Sequence, residues 1–160
     1  MSGRIFFICL MLVALGASFA IAQMDAPTKL KDAMNMLKEE TKKIGEPKSD
    51  GISLFFGSSK MNGNYTIVDE IKKKFDCTAT LFVKKGEEFI RISTNVIKDG
   101  GNRAVGTVLD PKGKAIEAIV KGENFQGVVD ILGKPYDTLY EPIRNASSET
   151  IGVFYVGIPK

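Results

Sequence analysis

A single arginine stands inside a segment that otherwise has the sequence of a β-strand. The segment is FIRISTNV, residues 89–96, and Arg91 lies between Ile90 and Ile92. A guanidinium offers paired N–H donors that match a carboxylate, and such a contact contributes roughly 1.5–3 kcal/mol in a partly dry site. Arg91 is therefore predicted to bind an anion, the alternative being an internal salt bridge to an acidic side chain such as Asp130.

Hydroxyl groups recur with strand alternation in a later segment, YDTLYEPI, residues 136–143. Tyr136, Thr138 and Tyr140 share one face there, because successive side chains of a strand point to opposite sides of the sheet. Such hydroxyls orient a small polar ligand inside an apolar cavity. The alternative is an aromatic core whose hydroxyl groups are bonded to the backbone.

The same alternation sorts residues 89–96 into a polar and an apolar face. The polar face is predicted to hold Phe89, Arg91, Ser93 and Asn95. The apolar face, which suits packing under a helix, is predicted to hold Ile90, Ile92, Thr94 and Val96. If the polar faces of the two segments lie on the same side of a sheet, they form a pocket floor with one arginine and two phenols.

Further polar residues are weaker candidates for the same pocket. Arg103 follows the turn DGGN, and it either lies over the pocket mouth or is solvated. Ser93 and Thr107 could bind a ligand, but strand hydroxyls are usually satisfied locally. Asp130 would recognise an amine, as in an amino acid, unless it pairs with Arg91.

Composition excludes several kinds of function. The net charge of +3 is small and the lysines alternate with acids, so nucleic-acid binding is not expected. The chain has no histidine, which excludes a Cys-His nucleophile and argues against a transition-metal site. No acid–base pair or activated nucleophile is recognised, so the chain is predicted not to be an enzyme and to use no cofactor.

The first 22 residues have the pattern of a signal peptide. A basic start, MSGR, is followed by an uncharged apolar run and by AIA, so Gln23 is predicted to begin a mature chain that is periplasmic or secreted. An uncleaved membrane anchor is the alternative. Cleavage removes Cys9 and leaves Cys77, which cannot form an internal disulfide.

The elements that must position these residues follow from periodicity. Residues 27–44 have helical spacing, with Pro27 in the first turn and Gly45 at the stop. Shorter helices are predicted at 65–75 and 111–122. Five main strands are expected, antiparallel and in an α+β domain, at 77–85, 88–97, 125–132, 136–143 and 150–158.

Seven pieces in their order carry a resemblance to a known family. They are VDEI (68–71), TATLF (78–82), FIRISTNV (89–96), RAVGTVLD (103–110), KGENFQG (121–127), ILGKPYDTLYEPI (131–143) and IGVFYVGIP (151–159). The chain resembles the single-Cache type of extracellular sensor domain, as found in bacterial chemoreceptors and as free exported proteins.

The resemblance implies a PAS-like five-stranded antiparallel sheet with a long N-terminal helix on one face. Short helices and loops would cover a ligand pocket on the other face. The predicted organisation is a signal peptide (1–22), an N-terminal helix and linker (23–48) and one Cache domain (49–160).

The resemblance also implies a sensing role, with an organic acid or an amino acid as ligand. Because the chain stops at GIPK, we expect it to signal through a membrane receptor or kinase, with a homodimer through the N-terminal helix as an option. The alternatives are an interaction or structural domain without a ligand, or a membrane-anchored accessory subunit of a chemoreceptor or kinase.

Overall fold

A 19-residue helix, α1 (Ala26–Ile44), opens the part of the chain that the computed structural model describes, residues 24–160. Asp25 caps it by accepting a hydrogen bond from the backbone N–H of Thr28 at 3.0 Å, and Pro27 lies in its first turn. The predicted signal peptide lies outside the described residues. Within residues 24–160, no helix is both long enough and apolar enough to cross a membrane.

The main sheet confirms the predicted α+β class with five antiparallel strands. The strands are β4 (Thr78–Lys85), β5 (Glu88–Thr94), β6 (Phe125–Ile131), β7 (Lys134–Arg144) and β8 (Thr150–Pro159). Their order across the sheet is β5-β4-β8-β7-β6, so the last strand of the chain lies at the centre. A smaller sheet contains β1 (Pro47–Ser49), β2 (Leu54–Phe56) and β3 (Ser59–Lys60). Two further helices are α2 (Thr66–Phe75) and α3 (Lys114–Val120).

Each face of the main sheet carries a hydrophobic core. On one side, here the α1 face, Leu37 of α1 and Ile71 of α2 join Leu81 and Val156 of the sheet. On the opposite side, here the α3 face, Ile116 of α3 packs with aromatic side chains from the strands. Since both faces are buried, the central strands are apolar on both sides and show little alternation in sequence.

Residues 95–113, here the covering segment, connect β5 to α3 and lie along the free edge of β5. The backbone N–H of Arg91 donates to Thr107 O at 2.9 Å, and Gly106 N donates back to Arg91 O at 2.8 Å. Leu109 N donates to Phe89 O at 2.9 Å. These bonds satisfy backbone groups that an edge strand would otherwise expose.

Cys77 is expected to react very slowly with iodoacetamide in the native protein, even at mildly alkaline pH. Its thiol is fully buried, and burial raises the pKa of Cys77 to about 11. The unfolded thiol ionises near its ordinary pKa of about 8.5, so the free energy of unfolding should fall as pH rises between these two values. Mass spectrometry of alkylation with and without denaturant tests this. Equal rates in both states would contradict it.

Candidate functional site

An extra residue in β5 determines which side chains share a face with Arg91. Phe82 of β4 pairs with Arg91, but the preceding residue, Leu81, pairs with Ser93, so Ile92 is the additional residue of a β-bulge. Phe82 belongs to the core of the α3 face and Leu81 to the core of the α1 face. Arg91 and Ser93 therefore point to opposite sides of the sheet.

The bulge makes the predicted alternation wrong from Ser93 onward. The Ser93 hydroxyl donates to Asn64 O, just before α2, and the Asn95 side-chain amide donates to Val68 O within α2. Val96, predicted under the helix, packs instead in the core of the α3 face. Simple alternation assumes one residue per pleat, and a bulge breaks that assumption.

Arg91 is a buried cation on the α3 face. Its side chain is 4% exposed, its Nη1 donates to Thr107 Oγ1, and its guanidinium carbon lies 5.0 Å from the Phe82 ring centroid. Its Nε has no hydrogen-bond partner. Burial lowers the pKa of Arg91, because no acidic side chain among the described residues forms an ion pair with it.

Asp130 does not supply the salt bridge that was the alternative for Arg91. It is exposed at the end of β6, where its Oδ1 accepts a hydrogen bond from Gly133 N at 2.8 Å. Asp130 is therefore placed neither to neutralise Arg91 nor to recognise an amine beside it.

Two tyrosines in contact lie in the same core as Phe82, the ring that Arg91 contacts. The rings of Tyr140 and Tyr155 are 4.9 Å apart between centroids, and both side chains are fully buried. Burial raises the pKa of both hydroxyls, and the positive charge of Arg91 partly opposes the shift at each. Tyr155 donates to or accepts from Thr78 Oγ1 at 3.0 Å, whereas the Tyr140 hydroxyl has no partner.

The other predicted hydroxyls have different surroundings. Tyr136 is partly buried and packs against the core of the α3 face. The Thr138 hydroxyl donates to Gly127 O at 2.7 Å, so the backbone satisfies it. Thr107 contacts Arg91 directly and donates its own proton to Ala104 O at 2.8 Å.

Arg103, predicted either over the pocket mouth or solvated, is partly exposed and is held by an ion pair with Asp69. It donates from Nη1 to Asp69 Oδ1 at 2.7 Å and from Nη2 to Asp69 Oδ2 at 2.9 Å. Its Nη1 also donates to Thr94 O at 2.8 Å, and its guanidinium lies 4.3 Å from the Tyr65 ring centroid. Because Asp69 neutralises Arg103, this arginine adds no free charge to the α3 face.

Sequence reasoning missed Tyr155 and the threonine pair at the same end of the site. Thr80 Oγ1 lies 2.7 Å from Thr94 Oγ1, and both residues are fully buried. Tyr155 belongs to TIGVFYVGIP, whose residues are apolar on both faces of β8 and give no alternation to read. The only feature of this segment that could have pointed to Tyr155 is a tyrosine among small and branched apolar residues.

The site can donate hydrogen bonds to an enclosed acceptor. Arg91 Nε and Tyr140 Oη are the two buried side-chain atoms without a partner in residues 24–160, and both are donors. No group of acidic, cysteine or histidine side chains in that range could hold a metal ion. The chemistry that these residues support is recognition of an anion.

Arg91, Tyr140 and Tyr155 are buried, and neither of the two clefts described below reaches them. A cleft of about 170 Å³ lies between the start of α1 and strands β6 and β7, and one of about 380 Å³ runs along α1. Neither cleft is lined by Arg91, Tyr140 or Tyr155. α3 and the covering segment close the α3 face over these three residues.

Solved structures with a similar course of the chain include sensory and regulatory proteins. The sensor domain of Escherichia coli DcuS is 16% identical, with a TM-score of 0.49, over 82% of this chain and 91% of that one. A protein described as a transcriptional regulator from Rhodococcus sp. RHA1 is 12% identical, with a TM-score of 0.43, over 92% of this chain and 87% of the other. No curated protein sequence matches significantly.

A family model matches nearly the whole chain. The Cache 3/Cache 2 fusion domain model covers residues 22–160. Cache domains are extracellular ligand-sensing modules, and the match confirms the predicted resemblance to a PAS-like Cache sensor domain. The chain therefore belongs to the Cache 3/Cache 2 fusion domain family.

Proposed function

We propose that this sensor domain binds a small monocarboxylate on the α3 face, between Arg91 and Tyr140. The observation that carries the proposal is the pair of buried donors without partners, Arg91 Nε and Tyr140 Oη. Leaving a buried polar group unpaired costs about 1–3 kcal/mol, and native proteins keep few such groups. A carboxylate that accepts from both atoms would remove this cost and neutralise the guanidinium.

The balance of charge favours a ligand with one negative charge. Arg91 has no acidic partner among the described residues, while Arg103 is neutralised by Asp69. A second carboxylate on the ligand would lack a cation, and the ammonium of an amino acid would lack an anion, because Asp130 is exposed at the end of β6. Burying an uncompensated charge is strongly unfavourable. The proposed ligand is therefore an organic acid and not an amino acid.

The wider biological role is proposed from the family. Cache domains sense ligands outside the cytoplasm, which supports an exported protein that signals through a membrane receptor or kinase. The predicted homodimer through α1 stays a prediction.

A thermal-shift screen tests the proposal. Acetate, propionate and lactate, compared with succinate, glycine and chloride at matched ionic strength, should include at least one monocarboxylate that raises Tm. Ligand at about 100 times its Kd adds about 2.7 kcal/mol, or roughly 8–10 °C for a domain of this size. A response to succinate alone would contradict the charge argument. No response across a wide set of acids would favour an interaction domain without a ligand.

A further inference from the structure

We propose that Arg103 and Asp69 form a latch that holds the covering segment closed, so that access to the Arg91 site requires this ion pair to separate. The inference rests on the proposed function only where it takes a small monocarboxylate as the molecule that enters the site. The closure itself depends only on contacts between the covering segment, α2 and the edge of β5.

The latch joins the covering segment to a helix that is anchored in the core. Arg103 belongs to the covering segment, and Asp69 lies in the first turn of α2, which Val68 and Ile71 anchor in the core of the α1 face. The contact is bidentate, and the Tyr65 ring stacks on the same guanidinium. A fork of two parallel N–H···O bonds fixes orientation as well as distance, which a single lysine contact would not do.

Residues close to Arg103 in sequence make the contacts that close the site. Ala104 and Leu109 are buried in the core of the α3 face, and between them Thr107 holds Nη1 of Arg91. The covering segment then continues directly into α3, whose Ile116 lies over the same face. Displacing Arg103 from α2 would therefore loosen the contact at Arg91 and the connection to α3 together.

Two glycines flank the latch and can absorb a change in backbone direction. Gly101 and Gly106 have φ values of 84° and 82°, and the space beside each is open. Glycine adopts such conformations readily, and hinges of moving loops are a few residues that absorb the dihedral change. The segment that carries Arg103 thus has a pivot on each side.

Hydrogen–deuterium exchange of Asp69→Asn tests the latch without any ligand. The informative amides are those of Arg91, Gly106 and Leu109, whose bonds close the covering segment on β5. We expect these amides to exchange about fivefold faster than in the wild type, which corresponds to about 1 kcal/mol. In both proteins these amides should be less protected than those of the central strand β8, because the covering segment opens locally whereas β8 opens only with the whole fold.

The matched control is Asp76→Asn, which removes an ion pair with Lys72 at the end of the same helix and does not touch the covering segment. It should leave all three informative amides at the wild-type rate. Unchanged exchange in Asp69→Asn would overturn the latch. Equal protection of these three amides and of β8 would also overturn it, because the covering segment would then open only with the whole fold.

A second measurement separates the latch from the proposed function. If acetate, used as the probe, stabilises the wild type, then Asp69→Asn should bind acetate with a faster association rate, and an unchanged rate would count against the latch. If no acid binds while exchange responds as expected, the latch stands and the monocarboxylate proposal fails. If acids bind while exchange does not change, the proposed function stands and the latch fails.

Discussion

Replacing Arg91 by methionine is expected to raise the Tm of the ligand-free domain and to abolish its stabilisation by monocarboxylates. Arg91 is buried, carries a charge without an acidic partner among the described residues and leaves Nε unbonded. Methionine would keep an unbranched chain against the Phe82 ring and remove the buried charge. We expect the free energy of unfolding to rise by about 1–3 kcal/mol, as when other buried ions are replaced by apolar side chains.

The substitution leaves no new orphaned donor. Thr107 loses the bond from Arg91, but its own hydroxyl still donates to Ala104 O at 2.8 Å. The lost cation–π contact with Phe82 opposes the gain by about 1 kcal/mol and does not reverse it. Differential scanning calorimetry with and without a stabilising acid measures both effects in one experiment.

Arg103→Met is the matched control, because both arginines contact an aromatic ring but only Arg103 has an acidic partner. This variant should lower Tm, since it leaves Asp69 and Thr94 O without their donor. If Arg91→Met lowered Tm as well, the buried guanidinium would stabilise the ligand-free fold, and the argument from its unpaired charge would be wrong. If Arg91→Met retained the response to acids, Arg91 would not be the ligand-binding group.

Opposite changes in Tm for Arg91→Met and Arg103→Met would also explain how ligand binding is coupled to conformation. A buried, unpaired cation destabilises the closed, ligand-free domain, and an anion removes that cost only when the covering segment is in place. The ligand would then favour the closed arrangement by its differential affinity, which is the requirement for shifting a conformational equilibrium. The latch between Arg103 and Asp69 would set how populated the closed state is before the ligand arrives.

Strand alternation was sufficient to predict part of this site from sequence. It correctly separated Arg91 from Ile90 and grouped Tyr136 with Tyr140, because a pleated strand alternates faces wherever its register is regular. It failed at Ser93, because nothing in FIRISTNV marks Ile92 as an additional residue. The residues that follow the bulge bond to partners distant in sequence: Asn95 accepts from Ala79 N and donates to Val68 O.

The order of the strands and the contact between Arg103 and Asp69 could not be predicted from the sequence, for a related reason. Both depend on contacts between residues far apart in the chain, such as Arg103 and Asp69, which are 34 residues apart. In isolation, VDEIKKKF is typical of a solvated helix face and gives no sign that its first acid has a specific partner. The five strands themselves were predictable because each carries its own local pattern and turn residues.

Gly152→Ala is expected to destabilise the domain by about 1–3 kcal/mol and to weaken acid binding as well. A Cβ at Gly152 would lie 2.3 Å from Phe82 O and 3.3 Å from Ile143 Cδ1. β8 lies between β4 and β7, so the strand cannot move outward to relieve the clash. Relief must shift the backbone at Phe82, which is next to the bulge and opposite Arg91.

The matched control for this clash is Gly127→Ala in β6, an edge strand. There the added Cβ would meet the end of the Phe125 ring at 2.9 Å, and a side chain can rotate away where a backbone carbonyl cannot. Urea denaturation should therefore show a clearly lower midpoint for Gly152→Ala than for Gly127→Ala. Equal midpoints would contradict the prediction, because the central strands would then accommodate the added Cβ without strain beside Arg91.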